Sequence, residues 1–302
     1  MKKRDETHFS FQPSFLNDNQ IRKLEIDALK AYVRRRIGGY KVAAKQVTTD
    51  NLLYRGVPWQ DRPTRIDQLW HPPPEKVSKK GRVNDKGTSM FYCSRGAPPV
   101  IYEIRAETGD RIALSEWSVV EPFWCHHLGF DDALMQAIGA PSRRQLQGLI
   151  PDEMYRNKVI RRKLSLPFTE VVEPGDEYCY RYKQTIAIHK LLFDDANTSE
   201  PVAGTAYPSM GMLGHADNIA LWPEYVPKVL RPKSVRYLRI ESADPESHTY
   251  SVKTLAVATS FSGDEIEWHA VAPDDAQSCR NIALEGNSWV VRDGSGRICE
   301  FH

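Results

Sequence analysis

The 302-residue sequence has few cysteines, no long apolar run and almost no net charge. Its five cysteines are an odd number, widely scattered and without a C-x-x-C pair, so neither a disulfide framework nor a zinc ribbon is expected. No apolar stretch is long enough to span a bilayer, and no signal-peptide core follows the basic start MKKRDETHFSF. We therefore expect a cytoplasmic protein with no membrane partner.

The charge balance argues against a general affinity for polyanions. Lysine and arginine total 41 against 39 acidic residues, a net charge of +2, so a nucleic-acid partner is not expected. The segment Cys-His-His at 125–127 hints at a metal, but adjacent histidines rarely converge on one ion and no second cluster stands at ligand spacing. We expect no metal and read WCHHLGF as a partly buried, aromatic-rich segment.

Periodicity predicts two longer helices. Residues 17–37 carry an amphipathic stripe that ends at Gly38-Gly39, and residues 177–195 repeat tyrosine and aliphatic side chains near helical spacing. A run of basic residues, 156–163, is interpreted as the solvated face of a helix.

The β-prone segments are more numerous. Strands are predicted at the positions 51–59, 90–94, 100–106, within 111–124 and within 201–211, followed by mixed strand and short helix in DNIALWPEYVPKVL and by successive strands after residue 231. The length allows one large domain or two modest ones. The fold class expected is α+β.

Four pieces of the sequence offer chemistry. They are Tyr54-Arg55-Gly56, the glycine-bounded loop with Arg82 and Asn84 that leads to Tyr92, Glu103 within V-I-Y-E-I, and Ser209 at the turn A-Y-P-S-M. On a strand, Glu103 would share a face with Ile101 and Arg105, and a carboxylate among apolar residues is costly unless it is paired or functional. Structural roles explain the same residues equally well. Glu103 could lie at a solvated sheet edge, Arg55 and Arg82 could be ordinary surface residues, and Ser209 could stabilise a turn.

The order of these motifs resembles the RES domain family, which is named after an arginine, a glutamate and a serine. The resemblance rests on Y-R-G, then P-P-P followed by G-R-x-N-x-x-G-x-x-x-x-Y-C-S, then a glutamate eleven residues after that tyrosine. V-A-G-T-A-Y-P-S and D-N-I-A-L-W-P-E follow in the expected order. It covers residues 51–230, which leaves an N-terminal helical segment at 1–50 and a β-rich C-terminal segment at 231–302.

The resemblance implies a fold and an activity. Members of the family are similar to ADP-ribosyltransferases, with a split, twisted β core whose cleft binds NAD+. They act as toxins of bacterial toxin–antitoxin pairs that deplete NAD+ by hydrolysis or phosphorolysis, or transfer ADP-ribose to a target. A helix-turn-helix antitoxin is the usual inhibitory partner. The terminal additions are expected to cap the cleft, to form a homodimer or to bind a partner.

The resemblance also implies roles for individual residues. Arg55 and Arg82 would contact the pyrophosphate or the adjoining ribose, and Tyr92 would lie against the nicotinamide. Asn84, in the loop of Arg82, and Tyr54 are also expected to bind NAD+. Glu103 would stabilise the positive charge that develops as the nicotinamide bond breaks. Ser209 would hold the site by hydrogen bonding, not as a nucleophile.

Two other classes remain open from the sequence. One is a transferase that modifies a specific protein or nucleic acid and consumes little free NAD+. The other is an inactive nucleotide-binding module, against which the retention of all five residues Arg55, Arg82, Tyr92, Glu103 and Ser209 argues.

Overall fold

The computed structural model describes residues 16–40, 42–140, 155–172, 179–194, 202–272, 278–286 and 288–301, without the side chains of 155–157. Within these ranges the chain is a mixed α/β structure with seven α-helices and one large, open, twisted sheet. The α-helices are α1 (Asp18–Lys23), α2 (Ile26–Ile37), α3 (Ala97–Ile104), α4 (Asp132–Ala137), α5 (Tyr155–Ser165), α6 (Tyr182–Asp194) and α7 (Val226–Val229). The strands are β1 (Ala44–Val47), β2 (Leu52–Pro58), β3 (Phe91–Ser94), β4 (Arg111–Val119), β5 (Phe123–His127), β6 (Val202–Pro208), β7 (Asp217–Leu221), β8 (Leu230–Asp244), β9 (Thr249–Ser262), β10 (Glu265–Ala270), β11 (Cys279–Glu285) and β12 (Ser288–Asp293).

All of these strands belong to one mixed sheet. Their order is β1-β5-β6-β7-β3-β2-β4-β8-β9-β11-β12, and β10 pairs with β9 beyond the end of β11. β5 and β6 pair in parallel, whereas β8 runs antiparallel to both β4 and β9. The C-terminal strands therefore extend the same sheet that contains the strands before residue 231.

The two faces of the sheet are covered differently. Because side chains alternate along a strand, each strand contributes to both faces. One face carries a single core, which includes Leu53, Phe91, Trp117, Ile219 and Val235. The opposite face carries two separate cores: a helical core around α2 and α6, with Leu29, Val33, Ile186, Leu191 and Ala220, and an α3 core, with Ile101, Ile112, Leu238, Val252 and Ile282.

The predicted strand at 100–106 is wrong, because this segment forms helix α3. Its letters are β-prone, but Pro98 and Pro99 occupy the first turn, where a fixed φ and a missing N–H favour the start of a helix. Glu103 therefore does not share a strand face with Ile101 and Arg105. Arg105 instead ends the helix in the left-handed conformation, at φ 55°.

Gly56 allows α3 to lie directly on β2. A Cβ atom at this position would lie 2.4 Å from Val100 Cγ1 and 2.5 Å from Ile104 Cδ1. Val100 and Ile104 are one helical turn apart, so both reach the same strand. The glycine of the Y-R-G motif is thus required by close packing.

The predicted helix at 17–37 is two helices. Asn17 and Gln20 form a capping box at the start of α1, and Leu24 then adopts an extended conformation before α2 begins. Ile26, Leu29 and Val33 bury the apolar face of α2, and burial of each such side chain contributes about 1.5–3 kcal/mol. Within the described ranges, no helix is long and apolar enough to cross a membrane.

Most other predicted elements are confirmed. The segments at 51–59, 90–94 and 201–211 contain β2, β3 and β6; the segment at 111–124 contains β4 and the start of β5; and 177–195 contains α6 after a short 3₁₀ turn. Residues 177, 178, 195 and 201 lie outside the described residues. The basic segment 156–163 lies in α5, where Arg161 and Arg162 approach the carboxylate of Asp131 within 3.7 and 3.2 Å.

Two buried histidines lie where α6 meets the sheet. His189 is fully buried, its Nδ1 is 2.8 Å from Thr205 Oγ1, and its ring stacks on Trp222 at 5.0 Å between centroids. Burial lowers the pKa of His189 to about 3 and that of the nearby His126 to about 4. Both side chains are neutral in the folded protein at neutral pH.

These histidines predict acid sensitivity. In the unfolded chain each takes up a proton near pH 6.5, whereas in the folded chain each stays neutral, so the free energy of unfolding decreases as the pH falls below 6.5. Between pH 7 and pH 5 the loss should be about 2 kcal/mol for each histidine. Urea denaturation across this range measures it. A His126→Gln/His189→Gln double variant should show a flatter pH profile, and an unchanged slope in that variant would contradict this assignment.

Candidate active site

A cleft opens where strands β2 and β3 diverge. Within the described residues their pairing is confined to one register position, Tyr54 opposite Ser94. The divergence lies between the helical core and the α3 core, on the face of the sheet that these two cores share. Tyr54 is buried at this point, and burial raises its pKa to about 12. It borders the cleft and has its hydroxyl protonated at neutral pH.

The cleft has two lobes. The first lobe has a volume of about 240 Å³ and is lined by Tyr54, Arg55, Gly56, Arg82, Tyr92, Cys93, Ser94, Val100, Glu103, Ile104, Tyr182, Tyr207 and Asn218. The second lobe has a volume of about 310 Å³ and is lined by Lys79, Arg82, Tyr102, Glu103, Arg105, Val171, Val172, Cys179, Tyr182, Met210 and Gly211. Arg82, Glu103 and Tyr182 line both lobes and so mark their junction.

Glu103 projects from the last turn of α3 and is exposed to the cleft. Its Oε1 accepts a hydrogen bond of 2.6 Å from Ser209 Oγ and a weaker one of 3.4 Å from the Gly211 N–H. The other carboxylate oxygen has no protein partner in the part of the chain that the structure describes. A carboxylate is disfavoured at the negative end of a helix, and these two donors offset that cost while leaving one oxygen for a ligand.

Ser209 is held rigidly at the end of β6. It is fully buried, its N–H donates to Ala216 O at 2.8 Å, and its carbonyl accepts from the Gly214 N–H at 2.7 Å. The hydroxyl proton is used in the bond to Glu103. The predicted holding role is therefore compatible with this geometry, and the structure brings Glu103 and Ser209 together although 106 positions separate them.

Arg55 spans the divergence of the two strands. Its three nitrogens donate to Leu69 O at 3.0 Å, Trp70 O at 3.0 Å and Tyr92 O at 2.9 Å. A guanidinium group has five N–H bonds, so two of them have no partner among the described residues, and Arg55 lines the first lobe. Arg55 also lies over the Phe91 ring at 5.0 Å, and burial lowers its pKa to about 10, so it is charged at neutral pH.

Arg82 is the second cation of the cleft. It donates to Pro167 O at 3.1 Å and to Glu170 O at 3.0 Å, and its guanidinium carbon lies 5.3 Å from the centroid of the Tyr182 ring. Across the described residues, neither Arg55 nor Arg82 has a carboxylate within ion-pair distance. Two arginines that form no ion pair with a carboxylate of the described residues favour an anionic ligand in the cleft.

Tyr92 and Asn84 hold the loop that carries Arg82. The Tyr92 hydroxyl donates to Asn84 Oδ1 at 2.7 Å and accepts from the Val83 N–H at 3.1 Å. Burial raises the pKa of Tyr92 well above its usual range, so the hydroxyl stays protonated. A Cβ at Gly81 would lie 2.3 Å from Asn84 Oδ1, so glycine is needed there. Asn84 is buried in this loop and does not line either lobe.

Four further polar residues line the first lobe without having been assigned a role from the sequence. Ser94 donates to Asn218 Oδ1 at 2.5 Å, and both side chains are buried. Tyr182 and Tyr207 face the same space, and burial raises the pKa of each. These four residues could have been found from the sequence, because they lie within motifs that carry the family resemblance. The motifs are Y-C-S, the tyrosine-bearing helix, A-Y-P-S and D-N-I-A-L-W.

No metal centre accompanies this cleft in the described part of the chain, where no three His, Cys, Asp or Glu side chains converge at ligand spacing. Cys125 and His126 are consecutive on β5 and so point to opposite faces of the sheet. A scan against models of protein families finds no match, and a search of curated proteins finds no significant relative. The function is therefore inferred from the cleft and from the motifs.

The Tyr92 hydroxyl provides a test of the loop. Tyr92→Phe retains the ring but leaves the buried Val83 N–H and Asn84 side chain without their shared partner. The free energy of unfolding should fall by about 1–3 kcal/mol, as measured by urea denaturation. Tyr225→Phe is the matched control, because within the described ranges the Tyr225 hydroxyl makes no hydrogen bond, and its effect should stay within about 0.5 kcal/mol. Equal stability of Tyr92→Phe and wild type would contradict the assigned role.

Proposed function

We propose that this protein is a RES-type enzyme with an ADP-ribosyltransferase-like split core that consumes NAD+ by cleaving the bond between nicotinamide and ribose. The observation that carries the proposal is the Glu103 carboxylate, hydrogen-bonded by Ser209 at the junction of two lobes. Arg55 and Arg82 accompany it without carboxylate partners in the described residues. The ordered motifs of the sequence supply independent support.

The residues that line the two lobes suit two different parts of NAD+, the nicotinamide ring and the pyrophosphate. The first lobe presents tyrosine side chains, which suit a flat, cationic nicotinamide ring. The second lobe adds Lys79 and Arg105 to the shared Arg82, which suits a pyrophosphate. With nicotinamide in the first lobe and the phosphates toward the second, the reacting ribose lies beside Glu103.

The proposed reaction is a substitution at C1′ of the nicotinamide ribose. The C1′–N bond breaks, its electron pair neutralises the pyridinium nitrogen, and positive charge develops on the ribose. The free oxygen of Glu103 stabilises this oxocarbenium-like transition state and orients an incoming acceptor through a ribose hydroxyl. With water as the acceptor, the products are nicotinamide, ADP-ribose and one proton; phosphate would give ADP-ribose 1″-phosphate.

The hydrogen bonds that Ser209 and Arg55 already make restrict what these residues can do in the reaction. Ser209 uses its proton to hold Glu103, so it orients the carboxylate and does not attack the ribose. Arg55 ties β2 to β3 with three of its five N–H bonds and offers the remaining two to the ligand. Its proposed contribution is thus divided between building the cleft and binding the reacting ribose beside the first lobe.

The nature of the acceptor defines the main alternative. A macromolecular side chain in place of water or phosphate would make the protein an ADP-ribosyltransferase. A helix-turn-helix or other inhibitory protein that covers the cleft is the partner implied by the motifs. Incubation with NAD+ labelled on the adenine, alone and with a cell lysate, separates free product from label on a macromolecule.

Replacement of the carboxylate gives the sharpest test of the mechanism. Glu103→Gln preserves shape but removes the charge that stabilises the transition state, so kcat for nicotinamide release should fall by about 100-fold or more. KM should change by less than about threefold, since the interaction is made mainly in the transition state. Nicotinamide release followed by chromatography measures both constants.

Glu107→Gln is the matched control. Glu107 is an exposed carboxylate four residues further along the chain and lines neither lobe, so this variant should keep the wild-type kcat. Wild-type turnover in Glu103→Gln would overturn the role of the carboxylate. Binding of NAD+ by the wild type without any cleavage or transfer would favour the inactive nucleotide-binding module.

A further inference from the structure

The C-terminal strands place an aromatic cluster against the helix that carries Glu103. Tyr102, the residue before Glu103, is buried between Tyr250 of β9 and Trp289 of β12, with ring centroids 4.6 and 4.5 Å away in edge-to-face arrangements. Its hydroxyl donates to His248 O at 3.0 Å in the β8–β9 turn. Side chains and backbone from beyond residue 231 therefore fix the orientation of α3 close to its catalytic end.

Trp289 also holds the loop that carries Ser209. Its Nε1–H donates to Met212 O at 3.2 Å, and Met212 lies between Ser209 and β7. The same loop packs tightly on α3, because a Cβ at Gly211 would lie 3.0 Å from Tyr102 Cβ. One side chain thus contacts both of the elements whose relative position sets the hydrogen bond between Ser209 and Glu103.

We propose that Trp289 is a positioning residue of the active site, and that the C-terminal segment is required for full catalytic activity. This inference rests on the proposed function for its catalytic consequence. Trp289 touches neither lobe, so it acts through the geometry of the Ser209–Glu103 pair. A small displacement of a catalytic group costs far more in turnover than in substrate affinity, because alignment matters most in the transition state.

Another tryptophan of the same segment provides a matched control. Trp268 of β10 also donates its Nε1–H to a backbone carbonyl, Pro63 O at 2.6 Å, and also packs edge-to-face on a tyrosine, Tyr237. Trp268 packs against the opposite core of the sheet, and its hydrogen-bond acceptor lies in the loop before residue 66, away from Glu103. The two tryptophans therefore make the same kinds of contact, but one of them supports the site.

Two measurements on the whole 302-residue chain test the proposal. In Trp289→Ala, hydrogen exchange should accelerate in residues 97–105 and 209–216 while β4 and β8 keep their protection. The kcat for NAD+ should fall by about 10- to 100-fold with KM nearly unchanged. Trp289→Phe keeps the ring but loses the bond to Met212 O, so it should show faster exchange in 209–216 and an intermediate kcat. Trp268→Ala and Trp268→Phe should keep the wild-type kcat.

The outcomes separate this inference from the proposed function. Wild-type kcat and exchange in Trp289→Ala, or exchange that rises uniformly over the sheet in both Trp289 variants, would overturn the positioning role while leaving NAD+ cleavage intact. If the wild type does not consume NAD+, the proposed function fails, and the exchange of residues 209–216 still decides whether Trp289 holds the loop. If Trp289→Ala fails to fold, Trp289→Phe provides both measurements.

Discussion

The divergence of β2 from β3 is the constraint on which the rest of the structure depends. Two neighbouring strands of a sheet normally satisfy each other's backbone groups along their length, but these two share one register position, Tyr54 with Ser94. Arg55 replaces part of the missing backbone hydrogen bonding between the strands. Its guanidinium donates to the Tyr92 carbonyl across the opening and to two further carbonyls that precede β3 in the chain. A charged side chain in this place both stabilises the opening and makes it attractive to an anion.

The position of Glu103 follows from the same divergence. Gly56 on β2 admits α3 against the strand, two prolines start that helix, and its last turn then ends over the cleft. The loop after β6 supplies the Ser209 hydroxyl from the side of the helical core, and the C-terminal strands support both elements through Trp289 and Tyr250. The carboxylate is thus fixed by contributions from three separate parts of the chain, although the helix that carries it has only eight residues.

The strands whose formation depends on nearby residues could be predicted from the sequence. The contacts that join residues far apart in the chain could not. β2, β3 and β6 have β-branched and aromatic composition with clear turns at their ends, and they were predicted. Segment 100–106 has the same composition but forms a helix. The two prolines before it favour a helical first turn, and this effect outweighs the β-prone composition. The partners of Arg55 are carbonyls 14 to 37 positions away, and Ser209 meets Glu103 over 106 positions, which no local pattern encodes.

The proposed cleavage of NAD+ can be tested by measuring the release of nicotinamide. The protein is mixed with an excess of NAD+, alone and in a cell lysate, and the nicotinamide protons are followed by NMR over time. Free nicotinamide should appear as NAD+ disappears, at a rate proportional to the protein concentration. Folded protein that leaves NAD+ intact in both settings, with no nicotinamide released, would contradict it.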